Sequence, residues 1–305
     1  MPEGSLEIGE LSPLADGQVG LAVLGCPIAH SISPQLHNAA LKKMSESNPE
    51  YTHWIYHKIE VPADQLAEAL PKLAEMGYRG LNLTIPHKVE VLPLVERIDE
   101  EAKLMGAVNT LRWNGSGWIG SNTDGYGLEK GVLEDLSVSL ENSEVLVLGA
   151  GGAARAAVAK CLLKGCAGVR VANRSLERLS EMSETLGEEF GKERIHPFAL
   201  SSIPQETRDL NNLLVINATS LGLREEDPSP LSLAGLSSDT KVYDMIYNPP
   251  ETALLTEARK AGMTFGNGLS MLVHQAARAL EIWTDEPVPA DVMLKEAEWA
   301  MKGLR

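Results

Sequence analysis

The spacing of apolar positions switches repeatedly between the strand period of two and the helix period near 3.6, and each switch marks an element. Short apolar runs at 20–25, 80–85, 144–148, 169–172, 213–217 and 241–246 predict strands, and the aromatic and β-branched residues of 51–59 predict another. Helical spacing covers 34–44, 63–76 (stopped by Gly77), 153–163, 175–186 and 252–261, with a more polar helix at 127–136. A further helix is expected from Lys88, beyond the break at Pro86. A hairpin around Asn114-Gly115 would join 108–113 to 118–119. Residues 223–230 read as a charged, proline-bearing loop, and helices at 270–283 and 290–302 end the chain. Alternation of strand and helix predicts an α/β protein built on mostly parallel sheets.

Length and composition add bounds. The 305 residues suggest about two domains. The formal charge of −15 argues against nucleic-acid or membrane-surface partners, while leaving room for a local basic pocket. The three cysteines, Cys26, Cys161 and Cys166, make no zinc spacing with the seven histidines, so no metal is expected, and Cys161 and Cys166 read as packing residues. The start Met1-Pro2-Glu3-Gly4 lacks the basic and apolar runs of a signal peptide, and no apolar run nears the ~18 residues of a bilayer span. A cytoplasmic protein is expected. Residues 1–18 read as a disordered lead or an extra strand.

Candidate chemistry starts at Gly149-Ala150-Gly151-Gly152-Ala153-Ala154, a GxGxxA turn between a predicted strand and a predicted helix. Gly149 permits the bend, Gly151 lets backbone approach a pyrophosphate, and Ala154 lets the helix pack closely. The helix N-terminus then offers N–H groups and positive dipole to phosphate. An NAD site usually carries an acid about 20 residues on. Here the next strand ends in Asn173-Arg174-Ser175, with Arg178 one turn later, which suits a 2′-phosphate and hence NADP. The alternative is a pair of arginines that solvate a surface helix.

Three motifs lie in the first half. In Gly25-Cys26-Pro27-Ile28-Ala29-His30-Ser31-Ile32-Ser33-Pro34-Gln35-Leu36-His37-Asn38, Ser31 and Ser33 bring two hydroxyls to a helix start, a setting for a carboxylate; Ser33 before Pro34 equally suits an N-cap. In Gly80-Leu81-Asn82-Leu83-Thr84-Ile85-Pro86-His87-Lys88, Asn82 and Thr84 share a strand face, and Lys88 follows the strand's C-terminal end, where open α/β sheets bind ligands. Lys88 is an acid–base candidate or a solvated charge. In the third, Asn109 begins one hairpin strand, and Asp124, in Asn122-Thr123-Asp124-Gly125, lies past the other as a helix cap or a partner for Lys88.

These motifs, in this order, resemble the shikimate dehydrogenase family. The likeness extends to Asn217-Ala218-Thr219-Ser220-Leu221-Gly222, Asp244-Met245-Ile246-Tyr247-Asn248-Pro249, Asn267-Gly268 and Met271-Leu272-Val273-His274-Gln275. The resemblance implies a substrate domain over 1–125, a Rossmann NADP domain over 126–267 hinged to it, and C-terminal helices over 268–305 returning to the first, with the reaction in the cleft between. It implies NADPH-dependent, reversible reduction of 3-dehydroshikimate to shikimate, in aromatic amino acid biosynthesis. Lys88 and Asp124 would be the catalytic pair. Ser31 and Ser33 would bind the ring carboxylate, with Tyr247 nearby, and Asn82, Thr84, Asn109, Asp124 and Gln275 the ring hydroxyls. Ala150, Gly151, Gly152 and Ala153 would hold the phosphates, and Asn173, Arg174, Ser175 and Arg178 the 2′-phosphate. Thr219, Met245 and Gly268 would lie near the ribose and nicotinamide. Partners would be the small-molecule substrate alone, in a monomer or homodimer. Ser121 departs slightly from the pattern before Asn122-Thr123-Asp124.

Other readings are a quinate/shikimate dehydrogenase with relaxed cofactor use, a methylene-tetrahydrofolate dehydrogenase, and a non-catalytic ligand-sensing relative. The arginines oppose NAD, the serine pair does not suit a pterin, and a sensor would be expected to lack Lys88 or Asp124.

Overall fold

The computed structural model describes residues 6–303. It divides into two units, one of residues 1–123 with 275–305 and the other of residues 124–274. The first unit contains β1 (Leu6–Glu7), β2 (Val19–Gly25), α1 (Ser33–Met44), β3 (Trp54–Glu60), α2 (Leu66–Glu75), β4 (Tyr78–Leu83), α3 (His87–Glu90), β5 (Arg97–Ile98), α4 (Glu100–Met105), β6 (Thr110–Trp113) and β7 (Trp118–Ser121). Its sheet runs β1-β3-β2-β4-β6-β7-β5. β1 to β4 are parallel; β6 enters antiparallel to both β4 and β7. The hairpin around Asn114-Gly115 thus joins the edge of a parallel sheet. The buried stripe of α2 (Leu66, Ala69, Leu70, Leu73, Ala74) recurs at helical spacing and forms one core with Ala22, Leu24, Ile59, Leu81 and Leu111.

The second unit begins with α5 (Asp124–Leu136), then β8 (Glu144–Leu148), α6 (Gly152–Leu163), β9 (Gly168–Asn173), α7 (Leu176–Phe190), β10 (Ile195–Ala199), α8 (Gln205–Arg208), β11 (Leu214–Asn217), β12 (Lys241–Asp244), α9 (Ala253–Lys260), β13 (Thr264–Asn267) and the start of α10 (Leu269–Thr284). From Gln275 onward α10 belongs to the first unit, as does α11 (Ala290–Gly303). The six strands are all parallel in the order β10-β9-β8-β11-β12-β13, the Rossmann order whose switch point falls between β8 and β11. β8 is Glu-Val-Leu-Val-Leu with its four apolar residues buried, as a strand covered on both faces requires. Among the described residues, no helix is long and apolar enough to cross a membrane.

Several expected boundaries shift for local reasons. Residues 51–53 are not strand. Pro49 and the Asn48 side chain, which accepts from the Glu50 amide, start a short 3-10 turn that ends where β3 begins at Trp54. Ser33 is not the cap of α1: the N-cap residue is Ile32, with no side-chain hydrogen bond, and Ser33 is already helical. The 63–76 helix is a 3-10 turn followed by α2. Leu6 and Glu7 do form an extra strand, paired with Ile59 and Glu60, and residues 1–5 lie outside the described part.

Candidate active site

In the first unit the neutral polar residues meet at the C-terminal end of β4. Asn82 donates to the Asn109 carbonyl oxygen at 3.2 Å and to Thr110 Oγ1 at 3.1 Å. Its own oxygen receives the Tyr56 hydroxyl at 2.8 Å. Asn109, 3% exposed, donates to Thr123 Oγ1 at 3.1 Å and to Gln275 Oε1 at 3.4 Å, and its oxygen accepts from the Thr123 amide at 2.8 Å and from Thr110 Oγ1 at 2.9 Å. A cluster of buried amides and hydroxyls is costly unless paired, and here each member holds the next in one orientation. Asn82, Asn109 and Gln275 are therefore brought together. Tyr56, Thr110 and Thr123 complete the group; the motifs did not single them out.

Thr84 follows β4 directly, and its amide still donates to the Leu24 carbonyl at 2.9 Å. It approaches so near that a Cβ on Gly25 would lie 2.5 Å from its methyl carbon, so the first motif must carry glycine there. Lys88 is half-buried in α3. Its backbone is held from two sides. The His87 ring, wholly buried, meets the Val61 carbonyl through Nε2 at 2.8 Å, and the Lys88 carbonyl accepts from the Val108 amide at 2.8 Å. Ser31 and Ser33 stand together, with 3.2 Å between their hydroxyl oxygens, and the Ser33 amide leans on Ser31 Oγ at 3.4 Å. The capping alternative for Ser33 is excluded because the cap position falls on Ile32 and carries no side-chain hydrogen bond. Both hydroxyls are half-buried at a helix start.

The second unit holds the remaining residues. Asp124, 7% exposed, opens α5. Gly149 has φ +116°, a conformation that favours glycine, and a Cβ there would crowd the Ala218 carbonyl oxygen at 3.0 Å and Thr219 at 3.3 Å. α6 then starts at Gly152 behind Gly151, with no side-chain cap, so its first amides are left to another acceptor. A Cβ on Gly151 or Gly152 would meet open space, which is the room a pyrophosphate needs against the backbone. Arg174 and Arg178 are exposed beyond β9. Asn173 donates to the Ser175 carbonyl at 3.0 Å, and the Ser175 hydroxyl caps α7 at the Arg178 amide. These residues fit an NADP molecule: a cradle of free amides, and two cations with no acid at the strand end.

Thr219 is tied through Asn217 to the buried Asp244, and the Gly268 amide donates to the Ile246 carbonyl at 3.1 Å. The Asp244 carboxylate is wholly buried and accepts from Asn217 at 3.0 Å, the Ile246 amide at 3.1 Å and Thr252 at 2.7 Å. Burial raises its pKa, and those three donors oppose the shift. Asn217 in turn accepts from Thr219 Oγ1 at 2.8 Å. A Cβ on Gly268 would collide with the Met245 carbonyl oxygen, so the start of α10 can pass Met245 only as glycine. Tyr247 is half-buried, and desolvation raises its phenol.

Comparison with known proteins identifies the family. Residues 23–111 match the model for a shikimate dehydrogenase substrate binding domain. Residues 132–221 match that for shikimate / quinate 5-dehydrogenase, and 268–298 the shikimate 5'-dehydrogenase C-terminal domain. The chain is 41% identical over 283 residues to a shikimate dehydrogenase (NADP(+)) of Geobacter metallireducens, covering 92% of this chain and 96% of that one. A crystal structure of a shikimate dehydrogenase in complex with NADP+ superimposes with a TM-score of 0.85 at 30% identity, over 99% of both chains. The Thermus thermophilus enzyme in complex with NADP(H) and shikimate gives 0.80 at 32%, over 93% of this chain and 100% of that one. The chain belongs to the shikimate dehydrogenase family.

Proposed function

We propose that the chain catalyses the reversible, NADPH-dependent reduction of 3-dehydroshikimate to shikimate, with Lys88 and Asp124 as the catalytic pair. The observation that carries this reading is the paired cluster of Asn82, Asn109, Thr110, Thr123 and Gln275 at the end of β4, with Lys88 on the next turn. Such a cluster suits a ring with several hydroxyls, because pre-oriented amides reject a ligand that leaves them unpaired. The cofactor, when bound, supplies a hydride to the ketone carbon. The protein's part is to orient the ring, exclude water and pass a proton to the developing alkoxide; the Lys88 ammonium, partnered by Asp124, is the donor. Ser31 and Ser33, with Tyr247, take the ring carboxylate; Thr84 and Asn109 take ring hydroxyls. Ala150 to Ala153 take the pyrophosphate, Asn173, Arg174, Ser175 and Arg178 the 2′-phosphate, and Thr219, Met245 and Gly268 flank the ribose and nicotinamide. Cytoplasmic residence, as a monomer or homodimer, belongs with this reading.

Lys88→Ala tests the pairing. With an unchanged melting temperature, kcat should fall about 10²–10⁴-fold, the usual worth of a positioned proton donor. Turnover close to that of the unaltered chain would remove Lys88 from the mechanism.

A further inference from the structure

The hydrogen bonds around Asn82 have one consistent direction. Its amide nitrogen lies 3.2 Å from the Asn109 carbonyl oxygen, a group that can only accept. The second amide hydrogen goes to Thr110 Oγ1 at 3.1 Å. The carboxamide oxygen therefore faces Tyr56 at 2.8 Å, and the phenol must be the donor. The protein holds both Asn82 hydrogens and one lone pair. A ligand finds one acceptor lone pair there and no donor.

Tyr56 lies outside every motif, yet it is held on several sides. Asn38 clamps its backbone, donating to the Tyr56 carbonyl at 2.9 Å and accepting from its amide at 2.9 Å. The clamp stands in for a neighbouring strand, since β1 pairs only with Ile59 and Glu60. His37 stacks on the phenol ring at 4.0 Å between centroids. Ser33, of the serine pair, lies beside the hydroxyl and partly offsets the desolvation that pushes its pKa far up. Across the sheet, Tyr56 pairs with Leu21 and Asn82 with Val23. Positions two apart on β2 share a face, so the phenol crosses β2 to reach Asn82.

We infer that Tyr56 is a positioning residue that fixes the Asn82 carboxamide so that it accepts from a ligand hydroxyl and offers nothing to a ketone oxygen. This rests on the reading of the first unit as the site of a hydroxylated ring acid. It has a consequence for the reaction. The oxygen that alternates between ketone and hydroxyl does not sit at Asn82; Asn82 marks a ring hydroxyl that stays a hydroxyl throughout.

Steady-state kinetics of Tyr56→Phe, Asn82→Ala and the double variant test this, with shikimate and NADP+ as substrates. The phenyl ring keeps the stack on His37. Tyr56→Phe should raise the KM for shikimate about tenfold, the scale of one buried hydrogen bond, and leave the KM for NADP+ within about twofold. Added to Asn82→Ala, it should cost nothing further. An unchanged shikimate KM, or an equal loss in the Asn82→Ala background, overturns the inference. Fluorotyrosine at position 56 keeps the hydroxyl should Tyr56→Phe fold poorly. Its fluorine resonance should move when shikimate binds the unaltered partner Asn82, and a still resonance overturns the inference. If the unaltered chain does not oxidise shikimate at all, the proposed function fails as well; if it does, only the role of Tyr56 is in question.

Discussion

His37 shows how the site is tuned residue by residue. Burial pushes its imidazole down to about 4 from the ordinary 6.5, only partly offset by backbone carbonyls such as Ser33, which meets Nδ1 at 2.9 Å. In the unfolded chain the ring titrates near its ordinary value. Between pH 4 and 6.5 the unfolded state therefore holds the extra proton, and stability rises with pH. The contribution is fully present above about 6.5 and is lost as pH falls through about 4, on the order of 3 kcal/mol in total. His37→Gln should flatten this part of the stability profile in denaturant titrations; an unchanged slope would show that His37 binds its proton equally well in the folded and unfolded chains. Gly25 makes a second residue-scale prediction. Alanine there would press on Thr84 and on the Ile85 carbonyl, so Gly25→Ala should cost roughly 1–3 kcal/mol and lower kcat/KM for shikimate. Unchanged stability and kinetics would mean that Thr84 can yield. Single candidate residues could be named from motifs because each motif marks a local turn or strand end. The Tyr56 to Asn82 bond could not, since it joins positions 26 apart in sequence through a fold that must exist first.

At the scale of elements, the strongest periodic segments were readable: β2, α1, β4, β8, α6 and β11 lie within a few residues of the apolar patterns that predict them. The short ones were not. β5 has two residues, and α4 is a six-residue helix set by the Asp99 cap and closed by Gly106 in the left-handed region. β10, with its exposed His196 and Pro197, reads as loop, because it is the edge strand and needs no apolar alternation. The β9 to α7 junction carries the cofactor prediction. Arg174 and Arg178 are exposed, so neutralising them should spare the fold. Arg174→Ala with Arg178→Ala should raise the KM for NADP+ by about 10–100-fold, as expected for lost charge-assisted bonds, and leave that for NAD+ nearly unchanged. Equal effects on both cofactors would move the 2′-phosphate contact elsewhere.

For the molecule as a whole, two sheets of different construction account for the chemistry assigned to each unit. The all-parallel sheet of the second unit places its glycine turn at the switch point between β8 and β11. The mixed sheet of the first unit, opened by the antiparallel β6, brings Asn109, Thr110 and Thr123 beside Asn82. Strand and helix alternation was enough to foresee two α/β units, but not the antiparallel insertion, because hairpin turns are local signals that do not say which strand the hairpin will pair with. The reaction itself is open to direct measurement, as the rate of nicotinamide reduction by the purified chain across shikimate and quinate, each with NADP+ and NAD+. Turnover should be fastest with shikimate and NADP+ by at least about tenfold in kcat/KM, the scale of one or two charge-assisted contacts. No turnover of shikimate, or a higher kcat/KM with NAD+ or with quinate, would contradict the account.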